Sequence, residues 1–224
     1  MSYQLYCLSH KNPERAKNMR ERLDQIGFQD AIISTGVEYP DNRAWGCMLG
    51  HLDMLKQFLD TSDAEYVICC EDDIVIHKEL KHRLPDIIQD CKMYNIDILL
   101  LGFLFAFPSD DLTVRLYTDC DIIKPSTHHS MYNYHDTLWG TQMFMLSRSQ
   151  AQKMLEKYSL ERAKNPVEGD PPFSADWTLT KDGNRALLWP MYALEDGSKL
   201  EYADEWQNRV HYYTYHGNIN ENYV

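Results

Sequence analysis

This sequence predicts an α/β fold, a sheet with helices packed on both faces, and three observations point to it. Short runs rich in Val, Ile and Leu alternate with amphipathic segments of helical period. Tyr66-Val67-Ile68-Cys69-Cys70 runs straight into three acids, Glu71-Asp72-Asp73, before Ile74-Val75 resumes. The 224 residues, 44% hydrophobic and 25% charged, suit one globular domain with a substantial core.

The elements follow in order. Gln4 to Leu8 reads as a first strand. Asn12-Pro13 offers an N-cap followed by Pro at the first helical position, and Gly27 closes that helix near Ile26. Ala31 to Ser34 is a short second strand. From Asn42 to Leu59, the residues Trp45, Met48, Leu49, Leu52, Leu55 and Leu59 trace one helical face. Tyr66 to Cys70 reads as a central strand with its acids at the carboxyl end. Lys78 to Met93 is helical, with a second helix expected to start at Pro85. Ile96 to Leu101 is a buried strand, and Pro108 to Asp136 reads as long loops. Gln142 to Leu146 returns to strand, and Ser147-Arg148-Ser149-Gln150 fits a capping box for a helix to about Tyr158. Asn165 to Phe173 is a Pro/Gly loop, Asp176 to Leu179 a short helix, and Ala186 to Tyr192 a strand. Asn208 to Val224 is expected to be a strand followed by a mobile end.

The acid-bearing strand carries the chemistry. Ligands of open α/β sheets bind in the crevice outside the carboxyl ends of the strands. Three adjacent carboxylates repel one another, which costs stability unless a cation or solvent offsets it. A divalent metal carrying a diphosphate suits such a place. Fifteen Tyr and five Trp supply flat, hydrogen-bonding surfaces of the type that line sugar and base pockets.

Composition excludes other classes. A formal charge of -12 argues against nucleic acid as a partner, because phosphate backbones are bound by an excess of Lys and Arg. Met1 to Ser9 lacks the charged and apolar regions of a secretory signal, so none is expected. No segment approaches the roughly 18 apolar residues of a membrane span, and Ile96 to Phe107 is too short. Six Cys at positions 7, 47, 69, 70, 91 and 120 show no ladder of spacings, and Cys69 and Cys70 are strand neighbours that point to opposite faces. Reduced thiols and a cytoplasmic location are the expectation.

Four segments, in order, resemble glycosyltransferase family 25, which includes lipooligosaccharide galactosyltransferases and the collagen galactosyltransferase domain. They are the first strand with Ser9, Arg15 and the helix to Gly27; Gly46-Cys47-Met48-Leu49-Gly50-His51; Val67 to Ile74; and Gly140-Thr141-Gln142-Met143-Phe144-Met145-Leu146-Ser147-Arg148 with Ala151 and Leu155. Gly50 stands where the family has Ser, and Ala16 where a second Arg is common. The resemblance implies a single GT-A type, Rossmann-like domain over residues 1–224, with about 208–224 as a C-terminal extension. It implies a metal-dependent hexosyl transfer, of galactose or glucose, from a UDP-sugar to a hydroxyl of a glycan or glycoprotein. The cofactor would be Mn²⁺ or Mg²⁺.

By analogy with the type A enzymes, Asp73 would hold the metal, and Glu71 or Asp72 would contact the ribose or a metal-bound water. The alternative for these three is a solvated acidic turn. Asp176, in Ser174-Ala175-Asp176-Trp177, matches the family's late acidic position and would take the acceptor proton. With the family's usual stereochemistry the outcome is inversion. As a bland alternative, Asp176 caps the short helix. Trp177 could stack on a sugar. His51 follows Gly46 and Gly50 at helical spacing, a donor-contact or packing position, and Arg15 could pair with phosphate or uracil. His211 and His216, in an extended segment, fall on opposite faces, so one of them could reach the metal.

Two rivals remain. A metal-dependent nucleotidyl- or phosphohydrolase would use the same carboxylates, but the sequence offers no clear second acidic cluster on another strand. A catalytically silent nucleotide-sugar-binding protein would keep the metal site and lack a working base, which makes Asp176 the discriminating residue.

Overall fold

The computed structural model describes residues 2–105, 120–136, 138–198 and 205–224. Its elements are β1 (Tyr3–Ser9), α1 (Pro13–Gln25), β2 (Ile32–Thr35), α2 (Arg43–Thr61), β3 (Tyr66–Glu71), β4 (Ile74–Ile76), α3 (Leu80–Met93), β5 (Ile98–Phe105), β6 (Ile122–Lys124), β7 (Ser130–Tyr132), β8 (Leu138–Ser147), α4 (Arg148–Lys157), α5 (Leu160–Lys164), α6 (Ala175–Thr178), β9 (Arg185–Trp189), β10 (Ala193–Glu195) and α7 (Glu205–Asn218). Eight strands form one sheet in the order β2-β1-β3-β8-β5-β9-β7-β6, and β10 pairs with β4 in a second, two-stranded sheet. Strands β2, β1 and β3 are parallel, whereas β8 runs antiparallel to β3 and β5.

The fold class is the one expected. Alternate residues of each strand enter two separate cores. Tyr6, Val67, Cys69 and Phe144 pack against Met48, Leu52, Leu55 and Phe58 of α2 and Ala151 and Met154 of α4. Leu5, Cys7, Ile68 and Cys70 pack against Met19 and Leu23 of α1 and Leu84, Ile87 and Cys91 of α3 on the other face. Helix ends are fixed locally: Asn12, Asn42 and Ser147 each accept from the backbone N–H three residues on. The Arg148 guanidinium donates to the carbonyls of Leu59 (3.0 Å) and Ser62 (2.6 Å), satisfying acceptors at the carboxyl end of α2.

Three expectations are corrected. Pro85 lies inside α3 and starts no second helix. Its missing N–H would have reached the carbonyl of Lys81, so one hydrogen bond is lost near the first turns, while Leu80, Leu84, Ile87 and Ile88 stay buried on both sides of it. The expected loop region contains strands β6 and β7, and β7 joins the sheet beside β9; residues 106–119 of it lie outside the described residues. A short helix, α5, fills the stretch before the Pro/Gly loop, a stretch to which the sequence assigns no element. The tail is helical: Tyr212, Tyr213 and Tyr215 suit a strand, but burial of Val210, His211 and Thr214 at helical spacing against β10 and β5 decides otherwise.

Nor is the tail's end loose. Ile76 N–H donates to the Val224 carbonyl at 2.9 Å, Val224 N–H returns to Ile76 at 3.0 Å, and Lys78 N–H reaches Asn222 at 2.8 Å. Strand β10 is brought over β5 at Gly102, where a Cβ would stand 2.6 Å from the Ala193 carbonyl; only glycine permits that approach. Among the described residues, no helix is long and apolar enough to cross a membrane.

Candidate active site

Glu71 ends β3, and Asp72 and Asp73 form the turn into β4, with Asp72 buried and Asp73 half-buried. Register places Leu8 of β1 opposite Glu71, so Ser9 follows at the same edge, and its hydroxyl donates to Asp72 Oδ2 at 2.6 Å. The Asn12 cap opens α1 so that Arg15, one turn in, lies over the acids. Its guanidinium donates to Asp73 Oδ2 at 3.0 Å and lies 3.5 Å from Asp72 Oδ1. Backbone fixes the turn from beyond: Asp196 N–H donates to the Asp73 carbonyl at 2.7 Å.

Asp73 faces inward, its side chain only 24% exposed. It lines two cavities at once, of about 530 and 360 Å³, and they share the walls Cys47, Glu71 and Asp73. The larger cavity is flanked by Arg15, His10, Tyr39 and Arg43. Gly46 allows α2 to close on it, since a Cβ there would lie 2.9 Å from the Val37 carbonyl. The smaller cavity holds Asp176, Trp139, Gln142, Glu195 and His211.

Asp176 does not cap its helix. Ser174 occupies the N-cap, and Asp176 turns to the entrance of β8, where Oδ1 accepts from Gly140 N–H (3.2 Å), Thr141 N–H (3.2 Å) and Thr141 Oγ1–H (3.0 Å). Trp177 beside it is 39% exposed, and Lys181 Nζ lies 5.5 Å from its ring centroid.

His51 is fully buried and meets the site through Glu71, with Nε2 3.5 Å from Glu71 Oε1. Burial pushes its imidazole down to about 4, so it is neutral at ordinary pH. Cys47, one turn earlier, brings Sγ to 3.8 Å from the same oxygen. These three side chains form a candidate metal-binding cluster.

The expectation that His211 and His216 lie on opposite faces of an extended segment is corrected by the helix. His211 is buried, with Nδ1 2.8 Å from Glu195 Oε2, whereas His216 is exposed, its ring tilted against that of Tyr212 with centroids 4.2 Å apart. Glu195 is the site residue that sequence reasoning missed. A signal existed: Ala193-Leu194-Glu195-Asp196 repeats the apolar-then-acidic pattern of β3. It also corrects the expectation that no second acidic cluster stands on another strand.

The carboxylates load the site with negative charge. Burial, then Asp73, Asp176 and Glu195, holds Glu71 well above the usual carboxylate range. Burial and Glu195 push Asp73 up to about 6, against the opposing pull of Arg15. Burial raises Asp176 too, opposed by its hydrogen bonds from Thr141 and Gly140. Asp73 Oδ1 is buried and has no hydrogen-bond partner among the described residues. Oxygen donors short of positive charge, one of them orphaned, fit a hard divalent cation.

A family model described as glycosyltransferase family 25 (LPS biosynthesis protein) matches residues 42–167. That span holds Cys47, His51, Glu71, Asp72 and Asp73; Arg15 and Asp176 lie outside it. No curated protein matches the chain. Among solved structures, A197 from STIV is similar at 12% identity and a TM-score of 0.44, over 92% of this chain and 95% of that one. A mannose-1-phosphate geranyltransferase from Thermus thermophilus is similar at 11% identity and 0.46, over 84% and 74%. A glycosyltransferase involved in glycosylation of the major capsid of PBCV-1 is similar at 10% identity and 0.40, over 76% and 72%.

Proposed function

The chain belongs to glycosyltransferase family 25 and is a glycosyltransferase, and from that premise we propose that it moves a hexose, galactose or glucose, from a UDP-sugar to a hydroxyl of a glycan or glycoprotein with the help of Mn²⁺ or Mg²⁺. One observation carries the reading: Asp73, with an orphaned buried oxygen, stands in the wall between two cavities. The larger, with Tyr39 and Arg43, suits the nucleotide, and the smaller, with Asp176, suits the acceptor. Asp73, with Glu195 and His211, would hold the cation, which as a Lewis acid would neutralise the departing diphosphate.

The chain's own residues do the rest. Asp176 takes the proton of the acceptor hydroxyl as that oxygen bonds to the anomeric carbon; the bond to the phosphate oxygen breaks and its electron pair leaves with UDP. Three donors already occupy Oδ1, so the proton goes to Oδ2, and displacement from the opposite face inverts the centre. Glu71 and Asp72 contact the ribose or a metal-bound water. Arg15, held beside Asp72 and Asp73, offers its charge to the leaving phosphates. His51 acts through Glu71. Residues 1–224 form one glycosyltransferase domain with 208–224 as an extension, and the enzyme works in the cytoplasm with reduced thiols.

Release of UDP from UDP-galactose and UDP-glucose, with Mn²⁺ and a glycan acceptor, tests this. Asp73→Ala and Asp176→Asn should each lower turnover at least about 100-fold while circular dichroism is unchanged; full activity in either variant overturns the assignment. Glu195 beside Asp73 favours a second reading, hydrolysis of the diphosphate itself by two cations. Release of UDP that ignores the acceptor, or of UMP, would support that reading instead.

A further inference from the structure

Cys47 and His51 are one turn apart on α2, and both ligating atoms approach one oxygen, Glu71 Oε1, at 3.8 and 3.5 Å. All three atoms lie within 4.8 Å of one another. The sulfur contact is an ordinary thiol hydrogen bond, whereas the nitrogen contact is long for one. Both also suit a shared ion: a tetrahedral zinc with bonds near 2.3 Å to sulfur and 2.0–2.1 Å to nitrogen and oxygen spaces its ligands roughly 3.3–3.6 Å apart. Small closing movements would make the three groups ligands of one ion. His51 is also fully buried, and its Nδ1 has no hydrogen-bond partner among the described residues, so half of its polar capacity is unused.

The donor set differs from that around Asp73. Oxygen-rich sites suit Mg²⁺ and Mn²⁺, whereas a thiolate beside an imidazole selects Zn²⁺, Cd²⁺ or Co²⁺. We infer that Cys47, His51 and Glu71 form a second cation site, selective for a thiophilic divalent ion and distinct from the hard-cation site at Asp73. Cys47 and Glu71 line both cavities, so a fourth position opens to water there. On binding, Cys47 gives its proton to solvent and the thiolate becomes the ligand. Because Glu71 is a wall of both cavities, an ion that draws its carboxylate toward α2 takes it out of the transfer site. Thiophilic ions should therefore inhibit a reaction that Mn²⁺ supports, and excess Mn²⁺ should not relieve them.

Binding of Co²⁺ alone to the full chain, followed by absorption, tests the site without reference to turnover and so fails separately from the glycosyltransferase reading. Wild type and Asp73→Ala should both show the sulfur-to-cobalt charge-transfer band and the intense visible bands of a tetrahedral thiolate complex. Cys47→Ala should lose them. Should that variant misfold, Cys47→Ser keeps the volume and removes the soft donor. In competition against a chromophoric chelator, Zn²⁺ should bind it about 100-fold more weakly, a loss that even outer-sphere changes can reach. A wild type without the band, a band that survives in Cys47→Ala and Cys47→Ser, or one that vanishes in Asp73→Ala would overturn the proposal.

Discussion

Thr141 and Asp176 are joined twice on a single oxygen: Asp176 Oδ1 accepts from the Thr141 N–H at 3.2 Å and from its hydroxyl at 3.0 Å. A donor to the ionised form favours it, so these bonds resist the rise that burial imposes on the carboxyl. They tie the proposed base on α6 to the strand that crosses the middle of the sheet.

Thr141→Val removes the hydroxyl and leaves the backbone donor. The carboxyl of Asp176 should rise further, since a stabiliser of its charged form is gone. The acid limb of the pH profile of kcat/KM should then move up by about one unit, the equivalent of one hydrogen bond to a charge. An unmoved limb would mean that the profile reports another group.

Asp73→Asn should stabilise the metal-free protein at neutral pH. Its carboxyl is raised from 3.8 to about 6 in the folded state. The folded chain therefore binds more protons than the unfolded one between those values, and stability falls as pH rises through that window. The variant, neutral throughout, escapes the loss, which amounts to about 1–3 kcal/mol. Urea melts of both proteins should diverge at pH 7.5 and converge near pH 4; parallel curves would refute the raised value.

Glu195→Gln should weaken Mn²⁺ binding. Saturating the folded state with an ion at 100 times its Kd contributes about 2.7 kcal/mol, visible as a rise in Tm with Mn²⁺ and UDP. Losing a carboxylate ligand should cut affinity at least about tenfold, worth about 1.4 kcal/mol. An equal rise in the variant would remove Glu195 from the set.

Deleting residues 220–224 should destabilise the protein by about 3 kcal/mol, at roughly 1 kcal/mol for each backbone hydrogen bond lost. Those bonds hold β4 and the segment after it; Tyr223 also donates its hydroxyl to the Met191 carbonyl at 2.7 Å. Since β4 pairs with β10, which carries Glu195, turnover should fall with stability. A truncated chain that melts like the full one would show that the pairing contributes nothing.

Legibility in the sequence followed how local each determinant was. The Asn12 cap, the face of α2 and the end of β3 are set by residues within one or two turns of each other, and all could be read. Pro85 was misread because its single lost hydrogen bond is local, whereas the burial of Leu84, Ile87 and Ile88 that outweighs it is tertiary. The aromatic run of the tail misled for the same reason. In the site, Glu71 to Asp73 were visible as one cluster. Glu195 was not, because β10, which carries it, is brought to the site by crossing β5 at Gly102, a contact between segments 91 residues apart; His211 was visible as a candidate, but its helical setting against Glu195 was not. The turn of Asp176 toward β8 depends likewise on a strand entrance 35 residues earlier.

Two chambers divided by three side chains cannot be perturbed independently at their partition. A replacement at position 47, 71 or 73 alters the room in both, so with donor and acceptor seated as proposed the apparent Michaelis constants for each should drift together. Kinetics gathered by varying one reactant alone would then assign to it a defect that belongs to the pair.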